Sequence, residues 1–189
     1  MKRTSPSFLA SVIPVAIAIN VTVGLLVHAL KLPLYLDSVG TVLVGFTFGP
    51  WWAALVGASS MLLGGLLLNP WMPYYAGTAI VIGLISGFFG TRGWQGSVAK
   101  AALLGVVIAV ASATASAPVT VLVFGGVTGS GTTAIVALLR ASGRTLAQSV
   151  LITGFSVEVV DKIATCIIPV FIVRALPQRL AVRFPLLVR

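Results

Sequence analysis

Acidic side chains are almost absent from this sequence: among 189 residues, only Asp37, Glu158 and Asp161 carry a carboxylate. Glu158 and Asp161 lie with Lys162 inside one long apolar run, from Leu146 to Leu176. A mean hydropathy of +1.12 and an apolar fraction of 58% indicate a protein embedded in lipid. Because ionisable groups are costly at membrane depth, they mark either a ligand site or a structural ion pair. The last apolar helix is therefore the first place to look for function.

Cysteine and histidine are equally scarce. The single cysteine, Cys166, excludes an intramolecular disulfide framework and a CxxC metal site, and the single histidine, His28, excludes a histidine cluster for a metal. The sequence offers no histidine beside a carboxylate and no recognisable pair of nucleophile and base. We therefore expect a protein that is not an enzyme and that uses no cofactor and no metal. His28 and Asn20, both in the first apolar segment, are expected to be satisfied structural polar groups.

Basic residues outnumber acidic ones by twelve to three, which gives a formal net charge of +9. These residues flank apolar segments and form no continuous stripe, so they indicate orientation in an anionic lipid bilayer and not nucleic-acid binding. At the start of the chain, Lys2 and Arg3 precede an apolar run from Phe8 to Leu30 that no small-residue cleavage site follows. This pattern predicts an uncleaved first spanning helix.

The alternation of apolar segments and breaks predicts an all-α fold, a bundle of about six transmembrane helices in a single integral membrane domain over residues 1–189. Six crossings are the best count, with five or seven as alternatives, because the second segment is too short to span unless it is tilted or shielded. The predicted crossings are 8–30, 39–48, 53–68, 79–90, 100–124 and 148–174.

The distribution of charge predicts the orientation of this bundle. With a cytoplasmic N-terminus and six crossings, eight basic residues lie inside and three outside, as the positive-inside tendency requires. Both termini are then cytoplasmic in a multi-pass protein. The long connections 31–37, 69–77 and 125–147 emerge on the outer face, which suggests a pocket that opens outward.

Glu158, Asp161 and Lys162 form the strongest candidate site. Glu158 and Lys162 are four residues apart on one helix face, and Asp161 follows Glu158 by three. The functional interpretation is a polar cluster that receives a polar or cationic group of a ligand. The alternative is an internal Glu158–Lys162 ion pair with Asp161 hydrogen-bonded to another helix. Two carboxylates against one lysine leave one acid unmatched, which favours the ligand site.

Further candidates lie in the predicted outer connections. Aromatic side chains there suit stacking on a flat heteroaromatic ligand, and interfacial anchoring is the alternative. Arg140 is a candidate for holding an anionic group at the outer mouth, with a solvated loop charge as the alternative. Asp37, which with Ser38 is also a plausible helix N-cap, completes the set. The aromatic candidates are Tyr35, Trp71, Tyr74 and Tyr75.

A glycine-rich segment at 125–131 resembles a phosphate-binding loop but lacks the lysine of GxxxxGK[ST], so it is not a nucleotide-hydrolysing site. A lid over a ligand and a plain connection remain its two interpretations.

The stretch from Leu36 to Gly57, LDSVGTVLVGFTFGPWWAALVG, resembles the second and third helices of the substrate-binding S components of energy-coupling factor (ECF) transporters. In that family a Gly-Pro turn is usually followed by a helix rich in alanine and glycine. The chain length, the six crossings, the cytoplasmic N-terminus and the glycine-rich outer loop before the last helix are also similar. One departure concerns the first helix, which commonly carries AxxxA in the family and here offers Ser7xxxSer11.

The resemblance implies a receptor in the bacterial cytoplasmic membrane for a vitamin or related small-molecule micronutrient. The pocket would be made by the outer loops and the last three helices. Uptake would require a separate transmembrane coupling subunit and a pair of cytoplasmic ATPases. Two other functions compete with this one: a membrane receptor that signals through a partner, and a self-contained secondary carrier. The sequence offers no cytoplasmic output domain for the first and no evident internal repeat for the second.

Overall fold

The computed structural model describes residues 6–127 and 131–187, and these residues form helices and turns without a strand. The predicted all-α fold is confirmed. The helices are α1 (Pro6–Ala29), α2 (Val39–Phe48), α3 (Pro50–Leu67), α4 (Ala76–Gly90), α5 (Val98–Pro118), α6 (Thr132–Ala141), α7 (Leu146–Ala175) and α8 (Gln178–Ala181). Short 3₁₀ turns cover Met72–Tyr75 and Trp94–Gly96, and a π-helical turn, Val119–Val123, extends α5.

Four helical segments of the described chain are long and apolar enough to cross a membrane, as expected for a membrane protein: Pro6–Ala29, Pro50–Leu67, Met72–Gly90 and Val98–Val123. The total of six crossings stays a prediction, because the two remaining segments differ from an ordinary spanning helix. α2 has only 10 residues. α7 has 30 residues but carries three charged side chains near its middle.

Neighbouring helices surround α2, and this burial explains how so short an apolar helix is accommodated. Eight of its 10 residues are buried. A Cβ atom at Gly40 would lie 2.1 Å from the Ala16 carbonyl oxygen of α1, and one at Gly45 would lie 2.4 Å from the Ser86 hydroxyl of α4. Glycine at these positions lets the helix backbones approach closely, which is the usual way of packing helices in lipid.

Asn20 of α1 ties the same helices together. Its amide nitrogen donates to the hydroxyls of Thr41 (2.8 Å) and Ser60 (2.9 Å), and its carbonyl oxygen accepts from the Gly40 N–H at 2.7 Å. Asn20 is therefore the satisfied structural polar group that the sequence predicts. Its contacts fix α1 against α2 and α3.

Every predicted helix start except that of α2 lies two or three residues too late, and for α3 and α7 the reason is local. α3 begins at Pro50 and not at residue 53, because Gly49 adopts a positive φ of 98° and Pro50 occupies the first helical turn, where proline is well tolerated. α7 begins at Leu146 and not at residue 148. There the Thr145 side chain accepts from the Gln148 N–H and the Gln148 side chain accepts from the Thr145 N–H, a capping box that satisfies both donors.

The charged part of α7 packs directly against α5. A Cβ atom at Gly105 of α5 would lie 2.7 Å from the Lys162 carbonyl oxygen and 2.6 Å from the Ile163 Cα atom. This close approach places the polar side chains of α7 in the interior of the bundle, between α5 and the connection that joins α1 to α2.

Candidate ligand-binding cavity

A cavity of about 180 Å³ lies at the end of the bundle where α1 joins α2, α3 joins α4 and α5 joins α6. All three connections contribute to its wall, together with α5, α6 and α7. These are the connections that the charge pattern predicts to be on the outer face. Six of the nine predicted site residues line it: Tyr35, Asp37, Trp71, Tyr75, Glu158 and Lys162.

Lys162 lies at the centre of the cluster on α7. Only 2% of its side chain is exposed, and its Nζ is 3.4 Å from Glu158 Oε2. The same ammonium also donates a hydrogen bond to Asp161 Oδ2. The Tyr35 ring centroid lies 5.6 Å from Nζ, within the range of a cation–π contact. One ammonium is therefore shared by two carboxylates and an aromatic ring.

Asp161 is fully buried and holds the α1–α2 connection in place. Its Oδ1 accepts hydrogen bonds from the backbone N–H groups of Tyr35 and Leu36, both at 2.8 Å. Leu36 adopts a φ of +48°, which is uncommon for a residue other than glycine, so the connection needs such a support. Asp161 is absent from the residues that line the cavity. It supports the cavity wall from behind.

Glu158 lies at the floor of the cavity with one oxygen engaged. Its Oε2 accepts from the Ser112 hydroxyl of α5 at 2.7 Å and faces Lys162. No described residue donates a hydrogen bond to Oε1. Since Glu158 lines the cavity, this second oxygen is available to a molecule within it.

Asp37 brings a second carboxylate to the cavity wall, from the α1–α2 connection. It is half-buried, and its Oδ1 accepts a hydrogen bond from the Ser38 hydroxyl at 2.9 Å. Burial raises the pKa of Asp37, and the nearby Lys162 ammonium offsets part of that increase. Ser38 occupies the N-cap position of α2, as predicted, but no side-chain hydrogen bond caps the start of the helix.

Aromatic rings form one side of the cavity, but they contact each other. Trp71 stacks on Phe124 with ring centroids 5.0 Å apart, and Tyr75 lies 6.0 Å from the same ring. The Tyr75 hydroxyl is 3.0 Å from the Thr120 hydroxyl, which lies in the π-helical turn. Phe124 thus organises this wall, and the sequence interpretation did not include it.

Besides Asp161, two predicted site residues do not line the cavity. The Tyr74 side chain is 57% exposed and packs edge-on against Phe124, with centroids 5.3 Å apart. Arg140 is exposed near the C-terminal end of α6. Neither is a lining residue. By contrast, His28, expected to be a satisfied structural group, is exposed and lines the cavity.

The glycine-rich segment approaches the α1–α2 connection over the cavity. A Cβ atom at Gly131 would lie 2.7 Å from the carbonyl oxygens of Lys31 and Leu32. Gly126, at φ +83°, and Gly131 both line the cavity, so the described ends of the predicted lid contribute to its wall. Residues 128–130 of that lid lie outside the described residues.

Small hydroxyl side chains complete the cavity, and sequence interpretation missed them. On α5 and its π-helical extension, Ser112, Ser116 and Thr120 recur every four residues, so they follow one side of the helix. Ser116 and Thr120 line the cavity, and Ser112 bonds to Glu158. This spacing of four residues is the sequence pattern that could have predicted a row of hydroxyl groups on one side of α5. Another lining hydroxyl residue, Thr153 on α7, shows no such pattern.

Thr153 is 3% exposed and lines the cavity, and its Oγ1 has no hydrogen-bond partner among the described residues. Buried hydroxyls nearly always have a partner, so this one is a marked exception.

Comparisons with protein families, with curated proteins and with solved structures found no match to this chain. The geometry of the cavity is therefore the basis for assigning a function.

Proposed function

We propose that this chain is a membrane-embedded substrate-binding subunit that captures a vitamin or related small micronutrient at the outer face of the bacterial cytoplasmic membrane. The observation that carries the proposal is the cavity at one end of an apolar bundle, with Glu158 and Lys162 at its floor. Charged groups at membrane depth are costly and are characteristic of ligand pathways. A cavity that is mostly apolar with a few convergent polar groups is the usual form of a small-molecule site.

The proposed assembly is an importer of the ECF type. The chain would be its S component, and a transmembrane coupling subunit and two cytoplasmic ATPases would supply the energy for release and uptake. The resemblance of residues 36–57 to that family supports this assignment. So does the missing lysine in the glycine-rich segment, since a phosphate-binding loop needs it.

The proposed topology has six crossings with both termini in the cytoplasm. α7, with its 30 residues, is about 45 Å long at 1.5 Å per residue, which exceeds a hydrocarbon core of about 30 Å. α2, about 15 Å long, would lie within the bilayer behind its neighbours. The eight-to-three distribution of basic residues supports placing the cavity at the outer face.

Purification of the intact chain in mild detergent, followed by native mass spectrometry, tests the capture of a ligand. We expect a small molecule to remain bound through purification and to be released on denaturation. Thermal unfolding should shift upward when the identified molecule is added back, because a ligand that binds only the folded state stabilises it. A chain that carries no molecule and gains no stability from a panel of micronutrients would contradict the proposal.

Reconstitution into vesicles tests the dependence on separate subunits. The chain alone should bind its ligand without ATP and without sustained uptake, and uptake should begin when coupling and ATPase subunits are added. ATP hydrolysis by the pure chain would contradict this division of roles. Gradient-driven accumulation by the chain alone would identify it instead as a secondary carrier. Ligand binding that alters a partner's activity without any uptake would identify it as a sensor.

A further inference from the structure

We infer that the cavity accepts a small organic cation whose ammonium group, or a similar group, lies against Glu158 and Asp37 and whose second polar group reaches Thr153. This inference rests on the proposed function in one respect, namely that the cavity captures a small molecule. It adds the chemical class of that molecule.

The balance of charge around the cavity is the first argument. The ammonium of Lys162 pairs with the carboxylates of Glu158 and Asp161, and a third carboxylate, that of Asp37, lines the same cavity. Lys162 is the one Lys or Arg side chain among the described residues lining the cavity. An uncompensated buried charge is strongly unfavourable. A cationic ligand supplies the missing positive charge, whereas an anionic ligand would increase the imbalance.

The hydrogen bonds show which carboxylates are available to such a ligand. Asp161 is occupied by two backbone N–H groups and by Lys162. Glu158 uses Oε2 for Ser112 and Lys162, and no described residue donates to its Oε1. Asp37 lines the cavity and receives one side-chain hydrogen bond, from Ser38. The available acceptors therefore belong to Glu158 and Asp37, which lie on different elements of the cavity wall.

Thr153 provides an independent second observation. The residue is buried and lines the cavity, and its hydroxyl has no partner among the described residues. It precedes Glu158 by five residues, so the two side chains are separated by about 7.5 Å along the axis of α7. A ligand hydroxyl or carbonyl at about that distance from the cationic group would satisfy Thr153.

The volume and the apolar wall limit the size of the ligand. A cavity of about 150 Å³ in another protein accepts a benzene ring, so a volume of about 180 Å³ suits a molecule built on a single ring. Met61, Met72 and Ile82 supply apolar surface to the cavity wall. Among the described residues, no group of three or more His, Cys, Asp or Glu side chains could hold a metal ion.

Four probes of nearly the same shape test the class of ligand. Phenethylammonium carries the cation alone, and tyramine adds a hydroxyl at the opposite end of the ring. 2-Phenylethanol and phenylacetate are the neutral and anionic counterparts. Binding to the intact, ligand-free protein in detergent is measured by calorimetry and by thermal unfolding, with sodium and potassium chloride as inorganic controls. We expect the two ammonium probes to bind and the neutral and anionic probes to bind at least tenfold more weakly.

Three conservative variants locate the contacts. Glu158→Gln and Asp37→Asn should each weaken phenethylammonium binding by about ten- to a hundredfold, the effect of losing a hydrogen bond to a charged group. Tyramine should bind the wild type more tightly than phenethylammonium does, and Thr153→Val should abolish this difference. The stability of each variant is compared with that of the wild type by thermal unfolding. The ratio of the dissociation constants of two probes, measured on the same variant, can be interpreted even when the variant is less stable.

The outcomes separate this inference from the proposed function. An endogenous ligand that is anionic, or tighter binding of phenylacetate than of phenethylammonium, overturns the inference and leaves small-molecule capture intact. Stabilisation by sodium or potassium ions that matches the effect of phenethylammonium overturns the inference in favour of an inorganic cation. A failure of both ammonium probes to bind likewise overturns it, while the co-purified ligand tests the proposed function separately.

Discussion

The two aspartates near the cavity should respond very differently to the same substitution. Asp161→Ala removes the acceptor of two backbone N–H groups and one carboxylate partner of the buried Lys162. Asp37→Ala removes the acceptor of one side-chain hydrogen bond, from Ser38. Both variants replace an aspartate by alanine, and they differ only in the contacts that the lost carboxylate made. Each variant is therefore the control for the other.

The expected magnitudes follow from those contacts. Breaking a buried ion pair by removing one partner costs about 3–5 kcal/mol. Loss of an ordinary hydrogen bond costs about 0.5–1.5 kcal/mol. For a chain of this length, 1 kcal/mol corresponds to about 2–4 °C in Tm, so Asp161→Ala should lower Tm by about 6–20 °C and Asp37→Ala by no more than about 6 °C. Asp161→Asn keeps a carbonyl oxygen for the backbone N–H groups and should fall between the wild type and Asp161→Ala.

Thermal unfolding of the purified protein in detergent, followed by circular dichroism, measures these differences. Binding of phenethylammonium to the surviving folded protein is measured in parallel. Asp37→Ala should weaken binding more than it lowers Tm, and Asp161→Ala should do the reverse. A Tm for Asp161→Ala within about 2 °C of the wild type would refute the supporting role assigned to Asp161. So would equal losses of stability in the two variants.

Three further perturbations test the fold. Asn20→Ala removes three hydrogen bonds between α1, α2 and α3. It should lower the free energy of unfolding by about 2–4 kcal/mol. An unchanged Tm would show that these contacts contribute little. Gly45→Ala should destabilise the protein, because its Cβ atom would lie 2.4 Å from the Ser86 hydroxyl oxygen. Gly77→Ala is the matched control, because nothing lies within 4 Å of a Cβ atom added there and because alanine favours a helix. Equal effects of the two substitutions on stability would contradict the packing of α2 against α4. A cysteine introduced at Tyr74 should react with an impermeant reagent outside intact cells and one at Gly93 should not, and labelling at Gly93 from outside would exclude the proposed topology.

The sequence was sufficient to predict much of the fold, because apolar segments and their breaks are local signals. α2 lies at Val39–Phe48, as predicted, since a possible N-cap and the Gly49-Pro50 turn delimit it on both sides. The other predicted helix starts are two or three residues late, and at α3 and α7 the error arises from cap and turn geometry. What the local pattern could not provide was the count of crossings. A segment of 10 residues crosses or does not cross according to its neighbours, as the burial of α2 shows.

The candidate site was predictable only in part, because its geometry depends on contacts between distant segments. The spacing of Glu158 and Lys162 revealed their proximity, since residues four apart share a helix face. The partners of Asp161 could not be found this way: they are the backbone N–H groups of Tyr35 and Leu36, more than 120 residues away. The sequence offered an ion pair and a ligand site as alternatives. The structure shows the ion pairs of Lys162 with both acids, and it places Glu158 in the cavity wall, while the ligand site stays a proposal.

In the proposed ligand site, this division of roles would also explain why three charges are placed together in an apolar helix. A ligand site needs a wall that holds its shape when empty, and here the wall that carries Tyr35 and Asp37 is a connection with an unfavourable backbone conformation at Leu36. Asp161 stabilises that connection, Lys162 neutralises Asp161, and Glu158 shares Lys162 while it faces the cavity. Removing any one of the three therefore changes the charge that the other two experience. It follows that the effects of Glu158→Gln and Asp161→Asn on stability should not be additive, because both residues contact the same ammonium.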